Sequence, residues 1–309
     1  MTTMDATNNI WAGIVMFVAG LFGVCSNGLA VFTVYKCRHL HNSFGFLCLS
    51  HCIANFGVCF TFAAWCAPTT VWQNSDLTET VDGKRVGQIN FLFWNATVYS
   101  HLSISINRFI CITFPLQAKK VFTPRVIGAF FCTPWAIALC HITPYFWVND
   151  CFVYYEPLTW VWTFTEGPCV LYISTFFDFY TSMTVFVLMT FFDLSTALKL
   201  RLMNNKNASL TGTREMHAKR KMETRFFIQA ICQSATFGME ILCFYVICTY
   251  AVTQWEMFIS TSFAWVACHA TDGFIMCLFH SGRLRENYRK RSSLAPTTTS
   301  VIIESKSKH

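Results

Sequence analysis

Seven long apolar runs predict an all-α membrane protein, a bundle of seven transmembrane helices with its N-terminus outside and its C-terminus in the cytoplasm. Three observations carry this. Hydrophobic residues make up 54% of the 309 residues and charged ones 13%; a soluble chain carries about 25% charged residues and needs them to coat its surface. The runs reach the ~20 residues that a helix needs to cross the hydrocarbon core. Basic residues collect in alternate loops, as an odd number of spans requires.

The spans are read at 10–35, 43–67, 87–114, 125–148, 169–198, 224–250 and 257–280. The first has no Lys or Arg before it, so it lacks the basic start of a signal peptide, and Lys36 and Arg38 follow it at once. The second ends at Pro68, the third before Pro115, and Pro124 and Pro168 precede the fourth and fifth. Helix breakers belong at such ends. Asp178 and Asp193 interrupt the fifth run and Glu240 the sixth, which makes these two the weakest by hydropathy. The chain then divides into a short extracellular N-terminus (1–9), a seven-span domain (10–280) and a cytoplasmic tail (281–309).

Orientation follows from charge. Lys36, Arg38, Lys119, Lys120, the cluster from Lys199 to Lys221 and the tail from Arg283 onward all fall on one side. The other side holds Lys84 and Arg85 among many acids, including Asp5, Asp76, Glu79, Asp82, Asp150, Glu156, Glu166 and Glu256. The basic side is the cytoplasmic one. The formal charge of +7 is thus explained by topology, and no nucleic acid is expected as a partner. A lipid bilayer is the partner expected instead. The tail beginning at His280 is basic with a few apolar residues and suits either the inner leaflet or solvent near anionic lipid. Its Ser292, Ser293, Thr297, Thr298, Thr299 and Ser300 are available for phosphorylation.

The 16 cysteines are scattered through apolar runs, with no pairing of Cys and His at zinc spacing, so no metal and no cofactor are expected. No catalytic residue is expected either: His51, His101, His141 and His269 lie on separate spans with no motif joining them. A channel or transporter would show repeats, Gly/Pro-broken helices or rings of charge, and none is visible.

The stretch Asn107-Arg-Phe-Ile-Cys-Ile-Thr-Phe-Pro115 is the most informative. An arginine at the end of an apolar helix either snorkels to the interface or has a partner there. With Phe109 after Arg108 and Pro115 seven residues beyond, it resembles the Asp-Arg-Tyr end of the third helix in rhodopsin-like receptors. Asn107 replaces the usual Asp, so Arg108 needs another acid at rest; Glu223 and Asp193 are the two expected. Asn27, in Gly23-Val-Cys-Ser-Asn-Gly, looks like the Asn of the rhodopsin-like first helix.

Four stretches in order resemble the nematode serpentine chemoreceptors, and within them class X. They are Asn42-Ser-Phe-Gly-Phe-Leu-Cys-Leu-Ser, Asn107-Arg-Phe with Pro115 and Phe122-Thr, Glu223-Thr-Arg-Phe-Phe-Ile-Gln-Ala-Ile-Cys-Gln, and Trp265-Val-Ala-Cys-His-Ala-Thr-Asp-Gly. The resemblance covers about 10–291. It implies a G-protein-coupled chemosensory receptor in the plasma membrane, and in the ciliary membrane of sensory neurons, with an extracellular small-molecule ligand and a heterotrimeric G protein as its partners. A peptide or other non-olfactory receptor of the same fold is the alternative. The chain departs from the rhodopsin-like pattern at Asp272-Gly273, where Asn-Pro is usual, and at Gly83, 25 residues before Arg108, where a cysteine is usual. The sixth span carries no proline, which leaves Gly238 and Gly273 as the places where the backbone bends easily.

Asp272 is expected to join Asn27 and Asn55 in a polar core. Cys151 and Cys169 flank the second outer loop, in an oxidising compartment, and are expected to form a disulfide; a bridge to Cys66, or two free thiols, are the other outcomes. A pocket between the third, fifth, sixth and seventh helices is expected to draw on Asn90, Trp94, Tyr172, Asp178, Glu240 and Trp265, with Phe93, Phe176 and Phe244 as further walls. Asn90 lies 18 residues, five turns, before Arg108. Amine receptors carry Asp there, so Asn90 argues against a simple monoamine ligand.

Overall fold

In the computed structural model, which describes residues 3–144, 151–165, 167–207 and 214–293, the seven runs form seven long helices. They are α1 (Thr3–Lys36), α2 (43–72), α3 (Val81–Thr113), α4 (Pro124–Ile142), α5 (168–207), α6 (Arg214–Tyr245) and α7 (254–293). Pro115 opens a short helix, Pro115–Val121, between α3 and α4. Local chemistry sets several starts. The Asn42 side chain accepts from the Gly45 N–H at 3.1 Å, and the Thr80 and Thr123 hydroxyls accept from Gly83 and Val126. Such caps satisfy amides that a helix start leaves open. Thr253 and Glu256 form a capping box at the start of α7.

Among the described residues, six of the helices are long and apolar enough to cross a membrane, and α3 is the exception. The sequence pointed to the fifth and sixth runs as the weakest instead. The reason is packing. Helix α3 lies against α2, α4, α5 and α6, and its buried face carries Gln88, Asn90, Asn95, Thr97, Ser100, His101, Ser105, Asn107 and Arg108. A helix shielded by protein does not need the apolarity of one shielded by lipid.

Helix α1 starts at Thr3, so most of the segment read as an extracellular N-terminus is helical. Its Asn9 is buried. Helix α7 likewise runs past His280 into the segment read as the tail, as far as Ser293. Helices α2, α5 and α7 each contain a wider π turn, at Phe62–Cys66, Ile173–Tyr180 and Ile259–Phe263. These turns interrupt the regular α phase; of the two glycines expected to bend, Gly238 packs against the Phe186 ring and a Cβ on Gly273 would overlap Asn27.

The connection between α4 and α5 adds a feature absent from the helical reading. Val153–Glu156 (β1) and Val161–Phe164 (β2) pair antiparallel, with Val153 opposite Phe164 and Tyr155 opposite Trp162. The hairpin inserts into one end of the bundle. Tyr155 is wholly buried and its hydroxyl meets Thr70 at 2.5 Å and Met16 Sδ at 3.5 Å. Burial pushes that phenol well above its ordinary range, so it stays neutral. Trp160, at a positive φ of 62°, donates its indole N–H to Asn9 at 2.9 Å, and its carbonyl accepts from Ser262 at 2.7 Å. The hairpin thereby ties α1, α2 and α7 together. The backbone of α3 passes so close beneath it that a Cβ on Gly87 would overlap the Val153 carbonyl. We call this the hairpin end and the opposite one the tail end.

Candidate ligand cleft and switch

A cleft of about 390 Å³ lies under the hairpin. Phe91 and Trp94 of α3, Asp178 of α5, Glu240, Phe244 and Tyr245 of α6 and Trp265 of α7 form its walls, and Val153, Trp162, Thr163 and Phe164 of the hairpin form its roof. Trp265 is the centre of the aromatic wall. Its ring lies 5.6–6.3 Å from those of Phe62, Phe91, Trp94, Trp162 and Phe244, mostly edge to face.

Two carboxylates face this apolar space. The Glu240 carboxylate accepts from the Trp94 indole N–H at 3.0 Å, and that of Asp178 from the Tyr245 hydroxyl at 3.0 Å. They do not hydrogen-bond to each other among the described residues. Trp94, Asp178, Glu240 and Trp265 thus meet at one site, as does Phe244. Asn90 and Tyr172 do not line it. Asn90 is wholly buried within the bundle and Phe91 faces the cleft beside it. An inference about ligand charge drawn from Asn90 therefore rests on a residue that does not line the site. Tyr172 is 58% exposed, whereas Asp178, six residues on within the π turn, is buried. Phe176 is exposed as well, and Phe93 packs on Trp135 instead.

Below the cleft a polar chain runs toward the middle of the bundle. Trp265 donates to His269 Nε2 at 2.9 Å, and His269 Nδ1 meets Asn55 Oδ1 at 2.6 Å. Because an indole N–H only donates, His269 Nε2 must accept and its ring is neutral. Its 3.7 Å approach to Glu240 is therefore not an ion pair. Asn55 donates to Asp272 at 3.4 Å and accepts from Thr97 at 3.1 Å. Asp272 also receives the Thr236 hydroxyl at 2.7 Å and meets His51 Nε2 at 3.0 Å. The His51 and His101 rings are 5.1 Å apart, and His101 Nε2 lies 3.2 Å from Ser234, whose hydroxyl donates to Asp193 at 2.6 Å. Asp272 and Asn55 therefore share a cluster. Asn27 stands one step away, donating to the carbonyls of Gly23 and His269 at 2.9 and 3.0 Å. Three of the four histidines that show no common motif in the sequence, His51, His101 and His269, converge here from separate helices, while His141 bonds to Tyr99 instead. Three residues on a facing stripe give no linear pattern.

At the tail end, Asn107 donates to the Ser43 hydroxyl at the start of α2, at 2.9 Å. Arg108 is 2% exposed. Its guanidinium carbon lies 3.4 Å from the centre of the Phe44 ring and 4.8 Å from that of Phe226. Phe109 turns toward α5, 5.5 Å from the Phe192 ring. Asp193 does not reach Arg108. It accepts from Ser234 of α6 at 2.6 Å and lies beside Ser105 of α3. Glu223 lies on α6, but its side chain falls outside the described residues. Gln229 and Gln233, quoted in sequence only within a longer stretch, bridge α6 to α7: Gln229 meets His280 at 2.8 Å and Met276 Sδ at 3.0 Å, and Gln233 donates to the Asp272 carbonyl at 3.4 Å.

Cys151 is disulfide-bonded and Cys66 carries a free thiol. The side chain of Cys169 lies outside the described residues. Among the described residues no group of His, Cys, Asp and Glu is arranged to hold a metal.

Comparison with known proteins agrees with this geometry. The chain resembles Serpentine receptor class X 45 of Caenorhabditis elegans, 23% identical over 87% of this chain and 78% of the relative. It resembles Serpentine receptor class X-43 of the same organism at 24% over 100% and 95%. A shorter match, 27% over 45% of this chain and 32% of the relative, is to Neuropeptide FF receptor 1 of Homo sapiens. The crystal structure of squid rhodopsin shares the fold with a TM-score of 0.74, at 13% identity over 97% of this chain and 89% of that one. The family model for the serpentine type 7TM GPCR chemoreceptor Srx matches residues 17–280, and the chain, a multi-pass membrane protein with the rhodopsin-like fold, belongs to that family of G-protein-coupled receptors.

Proposed function

We propose that this chain is a chemosensory receptor that binds a small molecule in the cleft under the hairpin and activates a heterotrimeric G protein at the tail end. The hairpin end then faces outside and the tail end the cytoplasm, in the plasma membrane; sensory cilia are where such a receptor meets outside chemicals. What supports this is a hydrogen-bonded chain that leads from the cleft to the packing of α6 on α7 in the middle of the bundle. The cleft residue Trp265 bonds to His269, which meets Asn55, and Asn55 bonds to Asp272, which also holds Thr236 of α6. A ligand that moves Trp265 would thereby bias how α6 packs on α7. Packed elements with two discrete arrangements are how such coupling travels.

A peptide ligand is the second reading, since one relative is a neuropeptide receptor by name. The hairpin argues against it. Buried Tyr155 and Trp160 hold the roof down over the cleft, which leaves no open groove along which a peptide could lie. The second disulfide partner we assign to Cys169, because Cys66 is a free thiol.

The test is a panel of odorants and small secreted metabolites applied to cells that express the receptor with a promiscuous G protein. A response that disappears with Trp265→Ala at matched surface levels supports the proposal. Stimulation that persists in cells lacking G proteins would count for a channel. Tags at the two termini check orientation: on intact cells the N-terminal tag should stain and the C-terminal one should not.

A further inference from the structure

We infer that the ligand is a small organic cation, an alkylated or quaternary ammonium held between the Asp178 and Glu240 carboxylates and an aromatic box. This rests on the cleft being the ligand site.

The first ground is charge. Asp178 and Glu240 are 7% and 6% exposed, and both line the same cleft. Each has a neutral partner. The Trp94 indole and the Tyr245 hydroxyl each donate one hydrogen bond. Glu240 Oε2 and Asp178 Oδ1 make no hydrogen bond among the described residues. His269 does not supply a positive charge, because its Nε2 accepts from Trp265. No Lys or Arg lines the cleft. The two basic residues at this end are engaged at its rim: Lys84 lies 4.9 Å from the centre of the Phe152 ring, and Arg85 donates to Gln88 at 2.6 Å. Among the described residues, these two carboxyl groups in an apolar space lack a counter-charge. Buried charges are normally paired, and a cation entering the cleft is the partner missing.

The second ground is shape. Most of the remaining lining is π faces and edges, among them Trp94, Trp162, Phe244, Tyr245 and Trp265. Aromatic faces attract a cation through their quadrupole, most strongly when water is excluded, and a box of them is the common way to hold a quaternary ammonium. An anionic ligand would meet two carboxylates and no basic group. A neutral apolar ligand would satisfy the rings and leave both acids unpaired.

The experiment uses the full-length receptor in nanodiscs and two probes of matched shape, benzyltrimethylammonium and its neutral isostere neopentylbenzene. Thermal stability reads binding directly, without a G protein. The cation should stabilise the wild-type protein with an apparent affinity about tenfold or more above that of the isostere. Glu240→Gln and Asp178→Asn should each erase most of that difference. Equal binding of the two probes overturns the inference. So does the absence of any stabilisation by the cation at about 10 mM, or wild-type discrimination in both variants. If a variant fails to fold, the comparison on the wild-type protein still decides. Stabilisation by the cation with no G-protein activation supports the inference and counts against the receptor reading beneath it.

Discussion

The Arg108 guanidinium carbon stands 3.4 Å from the centre of the Phe44 ring, and Phe226 of α6 closes on the same group at 4.8 Å. The two rings are themselves 4.7 Å apart. An arginine at the end of a buried helix is costly unless something replaces its water. Here two π faces contribute, and they come from α2 and α6. The contact ties the tail end of α6 to α3 by a cation–π bond that a helix movement would break.

This gives a specific expectation. Phe226→Leu keeps most of the apolar volume and removes one π face. Loss of about 1 kcal/mol shifts a two-state equilibrium roughly fivefold. Basal signalling should therefore rise modestly, as it should for Glu223→Gln if that acid also holds the resting state. Arg108→Ala should abolish coupling at matched surface expression. G-protein activation by purified receptor measures all three. Normal signalling from Arg108→Ala would show that the switch lies elsewhere.

The Asp272 cluster predicts an order of stabilities. Its carboxylate joins Thr236 of α6 and His51 and Asn55 of α2. Asp272→Ala removes the acceptor for all of them, and breaking a buried, hydrogen-bonded charged group costs about 3–5 kcal/mol. Asp272→Asn keeps an amide oxygen for Thr236 and should cost less. Melting temperatures in detergent should rank wild type, Asn, Ala in that order. An alanine variant as stable as the wild type would mean that the cluster does not hold the helices together.

Much of the fold was legible because each span must satisfy the same physical demand. Lipid requires about 20 apolar residues, and loops carry the charge. Helix α3 is where that rule loses force, since its neighbours shield Asn95, Ser100 and His101. Trp94, Asp178, Glu240 and Trp265 could be singled out as intramembrane acids or large rings. Tyr172 and Asn90 were misplaced because helical phase alone does not say which face meets the cleft, and a π turn of eight residues at Ile173–Tyr180 alters that phase in α5. The hairpin was invisible for another reason. Val153–Glu156 and Val161–Phe164 are strands of four residues, too short for alternation to stand out. The Asp272–His51 contact joins residues 221 apart, and nothing local in a single sequence signals it.

The disulfide can be checked directly. Cys151 is disulfide-bonded and Cys66 is free. Mass spectrometry of non-reduced peptides should recover Cys151 linked to Cys169, with Cys66 alkylated. Reduction should loosen the hairpin rather than unfold the bundle, because Tyr155 and Trp160 hold it by separate contacts. A peptide joining Cys151 to any other cysteine would overturn the pairing.

The last prediction concerns the roof of the cleft. A Cβ on Gly87 would overlap the Val153 carbonyl and would come within 3.4 Å of the Trp162 ring. Both belong to the hairpin, and both Val153 and Trp162 line the cleft. Helix α3 is anchored along its length by packing and by the bonds of Thr97 and Asn107. The hairpin is the lighter partner and should move. Gly87→Ala is then an overpacking substitution, with a cost of about 1–3 kcal/mol, and its effect should concentrate at the hairpin end. Hydrogen exchange should speed up for the amides of 153–164 and stay unchanged around Asp272. Ligand potency should fall while surface expression and basal output hold. Gly128 provides the control, because a Cβ there meets nothing within 4 Å, so Gly128→Ala should change none of these. If Gly87→Ala leaves hairpin exchange and potency at wild-type values, the close approach of α3 to the hairpin does not set the roof of the cleft.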